Sequence, residues 1–153
     1  MEKIHIRPAN IHDLETLFAF EQALIAAERP FDPTLKPNPT NYYDLHEMIH
    51  ADHIQLLVAE VDDVLAGCGY ARIENAKLFY NHSHYAYLGF MYVRPEYRGK
   101  GINREIIEAL EGWASSKNII ELRLEVYFDN LPAISAYKKI GFSNYQIQMR
   151  RSV

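Results

Sequence analysis

The chain has 153 residues and a formal net charge of −4, with 48% hydrophobic and 24% charged residues. This length fits one domain with a substantial core, and the acidic balance argues against a nucleic-acid-binding protein, which needs a basic face. The single cysteine, Cys68, cannot form an internal disulfide, and no apolar run approaches the roughly 18 residues that a membrane helix needs. With no apolar signal region at the N-terminus, these features predict a cytoplasmic protein that does not bind membranes.

Apolar residues alternate in the stretches expected to be strands and recur at helical spacing in those expected to be helices. In chain order they predict a strand at 3–7, helices at 11–28 and 42–52, strands at 54–61, 64–73 and 86–93, a helix at 102–117, a strand at 119–126, a helix from 129 or 130 to 141, and a strand at 142–150. Four prolines exclude regular structure between residues 29 and 40. The chain has no internal repeat or domain boundary, so residues 1–153 are expected to form a single domain.

The element order β-α-α-β-β-β-α-β-α-β predicts an α/β fold with a mixed central sheet. The strands at 86–93 and 119–126 are joined through a helix, which makes them a parallel pair with a right-handed crossover. Where two such strands separate, each followed by a helix, they leave a crevice that ligands favour. A ligand site is therefore expected between these splayed parallel strands.

A short basic loop with two glycines leads from the strand at 86–93 into the next helix. The first N–H groups of a helix have no partner within it, and the helix dipole adds a partial positive charge. Gly99 and Gly101 allow the backbone to curl into a concave nest. Full positive charges come from Arg98, Lys100 and Arg104. The loop is expected to bind an anion, in particular a pyrophosphate, although glycines at such turns are often only turn residues.

The sequence of this loop distinguishes between known phosphate-binding patterns. It lacks the Ser or Thr that follows Gly-Lys in a Walker loop and the third glycine of the dinucleotide fingerprint. Arg98-Gly99-Lys100-Gly101, behind Val93-x-Pro95-x-Tyr97, resembles instead the coenzyme A pyrophosphate loop of the GNAT family of N-acetyltransferases. Asn103 stands where that family usually has Gly or Ala. The resemblance implies acetyl-CoA as cofactor and a single-domain acyl-CoA N-acyltransferase fold, with contacts from Met91, Tyr92, Val93, Arg98, Gly99, Lys100, Gly101, Ile102, Asn103 and Arg104.

A second group of residues follows the strand at 119–126. Asn130, Ala133 and Tyr137 share one face of the last predicted helix. By themselves, Asn130 is an ordinary helix N-cap and Tyr137 a core residue. The segment resembles the second signature of the GNAT family, however, which implies that Asn130 and Ala133 contact the pantetheine arm and that Tyr137 is the general acid.

The resemblance implies direct transfer of an acetyl group from a thioester to a primary amine in a ternary complex. A main-chain N–H near Met91 or Tyr92 would stabilise the tetrahedral oxyanion, and Tyr137 would protonate the departing thiolate. Glu125-Val126 resembles the Glu-Val of the branch that acetylates protein N-termini, which makes Glu125 the candidate base. The alternative is a strand glutamate that faces solvent.

The acceptor pocket is expected from residues 29–53 and from the connector after residue 73. Its candidate lining residues are Phe31, Tyr42, Tyr43, His46 and Tyr85. Aromatic rings beside acidic residues suit a cationic amine, either a small molecule or a peptide N-terminus. Open edge strands make a homodimer possible.

Two other functions fit parts of the sequence. A non-catalytic acyl-CoA-binding module on the same fold would keep the loop and lack the chemistry. His46-Glu47-x-x-His50 matches the zinc metallopeptidase pattern, but Asp44 and Asp52 stand where that family has uncharged or apolar residues. No metal site is therefore predicted.

Overall fold

A computed structural model describes residues 2–153 of the protein as a central sheet with helices on both faces. The strands are β1 (Ile4–Pro8), β2 (Ile54–Val61), β3 (Val64–Asn75), β4 (His84–Val93) and β5 (Leu122–Leu124). The α-helices are α1 (Leu14–Glu28), α2 (Leu45–His50), α3 (Ile102–Ser116) and α4 (Leu131–Lys139). Short 3-10 turns span Ile11–Asp13, Arg29–Phe31 and Pro95–Tyr97.

The strands lie across the sheet in chain order, β1-β2-β3-β4-β5. Every neighbouring pair is antiparallel except β4 and β5, which are parallel and are joined through α3. The predicted α/β class with a mixed sheet is confirmed. The bounds predicted for β2 are also correct. The strand ends at Val61 because Asp62 and Asp63 adopt φ values of 50° and 63° and turn the chain sharply into β3.

Two hydrophobic clusters cover opposite faces of the sheet. The first contains the apolar face of α3, namely Ile102, Ile106, Ile107, Leu110 and Ala114, packed on β2, β3 and β4. The second contains α1 and α2 residues, namely Leu17, Phe20, Leu45 and Met48, packed on the other face. Cys68 is fully buried in the second cluster, where burial raises the pKa of its thiol well above the ordinary value, so it is no nucleophile.

The entry to α1 is fixed by a buried carboxylate. Asp13 accepts a bidentate pair of hydrogen bonds from Arg7, at 2.8 and 2.9 Å, and one from the N–H of Asn10 at 2.8 Å. Arg7 also donates to Glu60 in β2. This network joins β1, β2 and α1, and it positions α1 over the sheet.

Helix α2 is shorter than predicted. Residues 42–52 were expected to be helical, whereas α2 runs from Leu45 to His50. The N–H groups of Tyr42 and Tyr43 donate to the fully buried carboxylate of Glu21 in α1, at 3.0 and 2.8 Å. They are therefore held outside the helix, and Asp44 caps it instead.

The prediction of a final strand at 142–150 is wrong. Within the described residues, this segment pairs with no strand and is mostly exposed. Its neighbour β5 has only three residues, which offer a short edge for a ladder. Side chains hold the segment instead: Tyr145 donates to the Tyr80 hydroxyl at 3.1 Å and Arg150 pairs with Asp32 at 2.9 Å.

Candidate functional site

The parallel pair opens into a crevice part-way along β4. The last paired residues are Leu88 and Leu124, and beyond them β4 continues to Val93 with its β5-facing edge free. The Val93 carbonyl accepts there from the Arg98 side chain at 3.1 Å. Since main-chain groups alternate in direction along a strand, the Met91 peptide faces the crevice as well.

The geometry of β4 changes just where the crevice begins. A bulge against β3 lies between Cys68 and Tyr70, and Phe90 has a φ of 52°. A left-handed conformation costs a non-glycine residue about 1–2 kcal/mol, and strain of this kind concentrates at functional sites. Tyr92 lies opposite Cys68 in the β3–β4 ladder. Of the two predicted oxyanion donors, Met91 is therefore the one that faces the crevice.

The basic loop at the start of α3 carries a run of free amides. Gly99 and Gly101 have φ values of 77° and 84°, and a Cβ on either would meet nothing within 4 Å. Positive φ, not crowding, therefore requires glycine here. The first helical hydrogen bond of α3 is donated by Glu105 to the Gly101 carbonyl. In the described structure no main-chain carbonyl accepts from the amides of residues 99–104. We call these amides the nest, because a concave run of free N–H groups is suited to an anion.

A groove of about 560 Å³ lies between this loop and α4. Its lining comes from the loop and from the facing side of α4: Val93, Tyr97, Arg98, Gly99, Gly101, Ile102, Asn103, Arg104, Pro132, Ser135, Ala136, Lys139 and Ile140. The side chains of Arg98, Arg104 and Lys139 place positive charges beside the free amides. Free amides, open space above both glycines and flanking cations together fit a diphosphate.

Lys100, which was expected to contact the cofactor, does not line this groove. Its ammonium pairs with Glu2 at 2.8 Å and lies over the Tyr97 ring. The pair with Glu2 raises the pKa of Lys100. This side chain therefore contributes charge near the groove without pointing into it.

Asn130, Ala133 and Tyr137 lie on α4 as expected. The Asn130 side chain caps the helix by accepting from the Ala133 N–H at 3.4 Å, so its amide nitrogen is left to donate. Tyr137 packs on the α3 cluster and meets Phe142 edge-on, with ring centroids 5.9 Å apart. Burial, with a smaller contribution from the Glu28 carboxylate, raises the pKa of Tyr137 to about 12. Its hydroxyl therefore keeps its proton at neutral pH.

Aromatic side chains line the opposite face of the sheet. Tyr43 stacks on Phe90 with centroids 4.9 Å apart and meets Tyr70 edge-on at 5.7 Å. Tyr42 meets Tyr43 edge-on at 5.7 Å, and burial, the charge of the Glu28 carboxylate and a hydrogen bond to it raise the pKa of the Tyr42 hydroxyl. The sequence predicted Tyr42 and Tyr43 here, and the Glu21 carboxylate holds both in place.

The loop after α1 contacts the segment that follows β5. Phe31 stacks on Tyr127 at 5.9 Å, and the Tyr127 hydroxyl donates to Asp32 at 3.1 Å. Hydrogen bonds from Thr34, with a smaller contribution from Arg150, hold the pKa of Asp32 far below its usual range. Phe31 thus lies where the end of β5 meets the proline-rich loop.

Glu28, at the end of α1, was not predicted from the sequence. Its half-buried carboxylate raises the pKa of several tyrosines, after burial itself: Tyr42, Tyr43, Tyr87, Tyr127 and Tyr137. No motif marks this glutamate, because its surroundings are assembled from four separate elements. Tyr87 was missed for a similar reason, since alternation alone makes it an ordinary strand residue.

Glu125, the candidate base, follows β5 directly and is exposed. After burial, its charge is the largest contribution that raises the pKa of Tyr87, and it contributes to that of Tyr70. Glu125 therefore lies on the aromatic side of the crevice, where its solvent-facing carboxylate can exchange protons with water.

Two predicted acceptor residues lie elsewhere. His46 is on the exposed side of α2, where its ring lies tilted against that of His50, with centroids 4.8 Å apart. Tyr85 lies near the start of β4, under the Arg123 guanidinium at 4.0 Å. Their place in the acceptor pocket stays a prediction.

The His46-Glu47-x-x-His50 segment forms one short helix, and His50 Nδ1 lies 2.8 Å from the His46 carbonyl oxygen. Within residues 2–153, no three His, Cys, Asp or Glu side chains cluster in a way that could hold a metal ion. Nor does any helix in this range have the length and apolar character to cross a membrane.

Comparison with known proteins assigns the family. The model of the acetyltransferase (GNAT) family matches residues 20–142, which is most of the chain. The chain belongs to the GNAT acetyltransferase family. The predicted family is thereby confirmed.

Among curated relatives, the acetyltransferase is 28% identical to the L-amino acid N-acetyltransferase AaaT of Escherichia coli, over 93% of this chain and 84% of that protein. Two other matches are local. They cover only 24% of the uncharacterized N-acetyltransferase YobR of Bacillus subtilis and 29% of a streptothricin acetyltransferase of Escherichia coli. The chain thus spans less than a third of these relatives.

Solved structures confirm the fold of the acetyltransferase. A predicted acetyltransferase from Clostridium acetobutylicum, determined with acetyl-CoA, superposes with a TM-score of 0.75 at 19% identity, over 98% of this chain and 96% of that one. AAC(6')-Iy, in complex with a bisubstrate analog CoA-S-monomethyl-acetylneamine, gives a TM-score of 0.76 at 22% identity, over 99% of both chains.

Proposed function

We propose that the protein transfers an acetyl group from acetyl-CoA to a primary amine by direct transfer in a ternary complex. The observation that carries this is the run of free amides at residues 99–104, which opens onto the same groove as α4. Tyr137 on α4 packs against the same hydrophobic cluster as Met91 and Val93 of β4. Structural neighbours determined with acetyl-CoA or a CoA analog support the choice of acyl donor.

The donor would be held at three places. The diphosphate lies on the amides of residues 99–104, with Arg98 and Arg104 supplying charge. The pantetheine adds to the free edge of β4 near Met91 and Val93, as an extended peptide adds to a sheet edge, while the Asn130 amide donates from the other side. The thioester then reaches the crevice beside Tyr137.

The chain's own groups would act at two points of the transfer. The Met91 N–H is aimed where negative charge develops on the thioester oxygen, and losing such a donor typically costs about 3 kcal/mol of barrier. Tyr137 holds a proton for the departing sulfur. Glu125 removes the proton from the incoming ammonium, directly or through water.

The proposal is tested by release of free thiol from acetyl-CoA with a panel of small amines and peptide N-termini. Thiol release that depends on the amine supports it. Tight binding of CoA with no release for any amine would favour the non-catalytic acyl-CoA-binding module.

Glu125 has its own test. We expect Glu125→Gln to lower the rate near neutral pH and to recover part of it at high pH, where the acceptor amine is already neutral. Glu111→Gln, a glutamate on the exposed side of α3, is the matched control. A Glu125→Gln profile that superposes on the wild type would exclude this residue as base.

A further inference from the structure

An arginine of β3 lies across two tyrosine rings on the aromatic face of the sheet. Arg72 is the partner of Tyr87 in the β3–β4 ladder. The central carbon of its guanidinium lies 5.4 Å from the Tyr87 ring centroid and 5.6 Å from that of Tyr70. Its Nε donates to the Glu74 carboxylate. These contacts hold the guanidinium against the sheet, while 37% of the side chain remains exposed to solvent.

The protein uses fewer than half of the hydrogen-bond donors of this guanidinium. Of its five N–H groups, one is donated to Glu74. Another reaches the Tyr70 hydroxyl, where burial raises the pKa of Tyr70 while the charge of Arg72 and this hydrogen bond oppose the rise. Three donors, with at least one on each terminal nitrogen, therefore have no acceptor among residues 2–153. Arg7 is the contrast, since all three of its nitrogens donate to acceptors within the protein.

The Tyr70 ring places this guanidinium beside the start of the crevice. A Cβ on Gly89 would meet the hydroxyl end of that ring within 2.8 Å, so the ring lies directly on Gly89. The residue before it, Leu88, is paired with Leu124 in the last rung between β4 and β5. Glu125 follows on the β5 side, and its charge bears on Tyr70. A cation of β3 and a carboxylate after β5 thus lie near the mouth of the crevice.

We propose that Arg72 binds a carboxylate of the acceptor, so that the preferred acceptors are amino acids rather than amines without a negative charge. This rests on the proposed function. Free N–H groups on both terminal nitrogens match the two oxygens of a carboxylate. The amine of the same zwitterion then faces Glu125, the candidate base. The spacing between amine and carboxylate in the preferred acceptor follows from the span between Arg72 and the thioester.

The experiment compares amino acids with their primary amides, which keep the amine and the shape and lose the negative charge. The acids are glycine, 4-aminobutyrate and 6-aminohexanoate, which differ in the spacing of the two groups. We expect the KM of the acid to be at least about tenfold lower than that of its amide in one or more pairs, the effect of a charge-assisted contact.

Two variants connect this preference to the guanidinium. Arg72→Gln should raise the KM of the preferred acid to that of its amide, whereas the amide, which cannot make this contact, should lose less. Arg72→Lys keeps the charge without the planar fork and should retain part of the preference. Lys117→Gln, at the exposed end of α3 on the other face, also removes one positive charge and should keep the full preference.

Binding gives a measurement that does not need turnover. Calorimetric titration of the preferred acid into the protein–CoA complex should show an affinity that Arg72→Gln weakens about tenfold, while the CoA affinity of the variant certifies its fold. Equal KM values for acid and amide in every wild-type pair would overturn the inference and leave the proposed function intact. An equal rise for acid and amide in Arg72→Gln would overturn it in favour of a purely structural arginine. No thiol release with any amine or amino acid would instead remove the proposed function.

Discussion

The Tyr137 hydroxyl is the candidate general acid of the proposed transfer. Tyr137 packs through its ring on the α3 cluster and on Phe142, while its oxygen has no hydrogen-bond partner among the described residues. Burial and the Glu28 charge both disfavour the phenolate. The ring is therefore fixed by packing, and the proton is retained for a partner that the protein does not supply.

We expect Tyr137→Phe to lower kcat by about 10²-fold, within the range for loss of a general acid, and to leave the Kd for CoA unchanged because the ring packing is kept. Stopped-flow thiol release and calorimetry measure the two quantities. Tyr145→Phe, in the exposed C-terminal segment, removes a hydroxyl elsewhere and serves as control. An unchanged kcat would remove Tyr137 from the mechanism.

The pKa of Tyr137 also sets a limit on the pH profile. Because it is raised to about 12, the group stays protonated from neutral pH to well above pH 10, and the rate should not fall from its ionisation in that range. Removing the negative charge in Glu28→Gln lowers this pKa, so any alkaline decline should begin earlier in that variant. A decline that starts below pH 9 in the wild type would contradict the assignment of the proton to Tyr137.

At the scale of elements, the start of α3 combines a structural and a binding role. Gly101 is its N-cap and has a φ of 84°, which strains any other residue by about 1–2 kcal/mol. We expect Gly101→Ala to lower the free energy of unfolding by that amount and to weaken CoA binding, because the amides of the nest shift. Denaturant titration and calorimetry check the two effects.

The control lies within the same helix. A Cβ on Gly112 also meets nothing within 4 Å, and its φ is not positive. Gly112→Ala should therefore raise the free energy of unfolding by about 0.5–1 kcal/mol, since alanine is the better helix former. Equal effects of the two substitutions on CoA affinity would refute the role of the nest.

The junction of α1 with β1 and β2 predicts a pH dependence of stability. The hydrogen bonds from Arg7 hold the pKa of Asp13 below its usual 3.8. Its contribution is therefore complete above about pH 4–5 and is lost as the pH falls through the lowered value. Asp13→Asn should cost about 2–3 kcal/mol at pH 7, for a buried charge-assisted pair, and much less at pH 3. Denaturation at both pH values measures this, and an equal loss at both would be the contrary result.

The same elements explain what sequence patterns could foresee. Strand β2 and the α3 stripe were predicted well because periodicity and a local turn define them. Helix α2 was overextended because its first residues bind a distant carboxylate, Glu21, that no local pattern reveals. The final strand failed because alternation at 142–150 says which residues could form a strand and not whether a partner edge exists.

The candidate functional residues also divide into those that a local motif marks and those that only the folded chain brings together. The nest and Tyr137 follow from local motifs, whereas the environment of Glu28 depends on side chains from four elements. His46 and Tyr85 were assigned to the pocket from their place in the chain and their aromatic character, and their role stays a prediction.

At the scale of the whole molecule, the edges of the sheet remain open. In the described structure β1 and β5 each pair on one side only, and the C-terminal segment exposes Ile147 and Met149 by 72% and 89%. Homodimer formation, expected from the open edges, stays a prediction. Apolar side chains beside a free edge commonly meet another chain.

We therefore expect a dimer in sedimentation velocity at micromolar concentration, converted to a monomer by the double substitution Ile147→Lys and Met149→Lys. Ile11→Lys, at an exposed apolar residue before α1, controls for the added charge. A wild type that sediments as a monomer would refute this expectation.

The two faces of the sheet also bear on the order of events in turnover. The nest and α4 groove open on the α3 side, whereas Tyr42, Tyr43 and Glu28 lie on the α1 side, and the gap between β4 and β5 connects them. Donor and acceptor would thus bind from opposite faces of the sheet. Neither substrate therefore has to be released before the other can bind. Initial-velocity lines should intersect rather than run parallel.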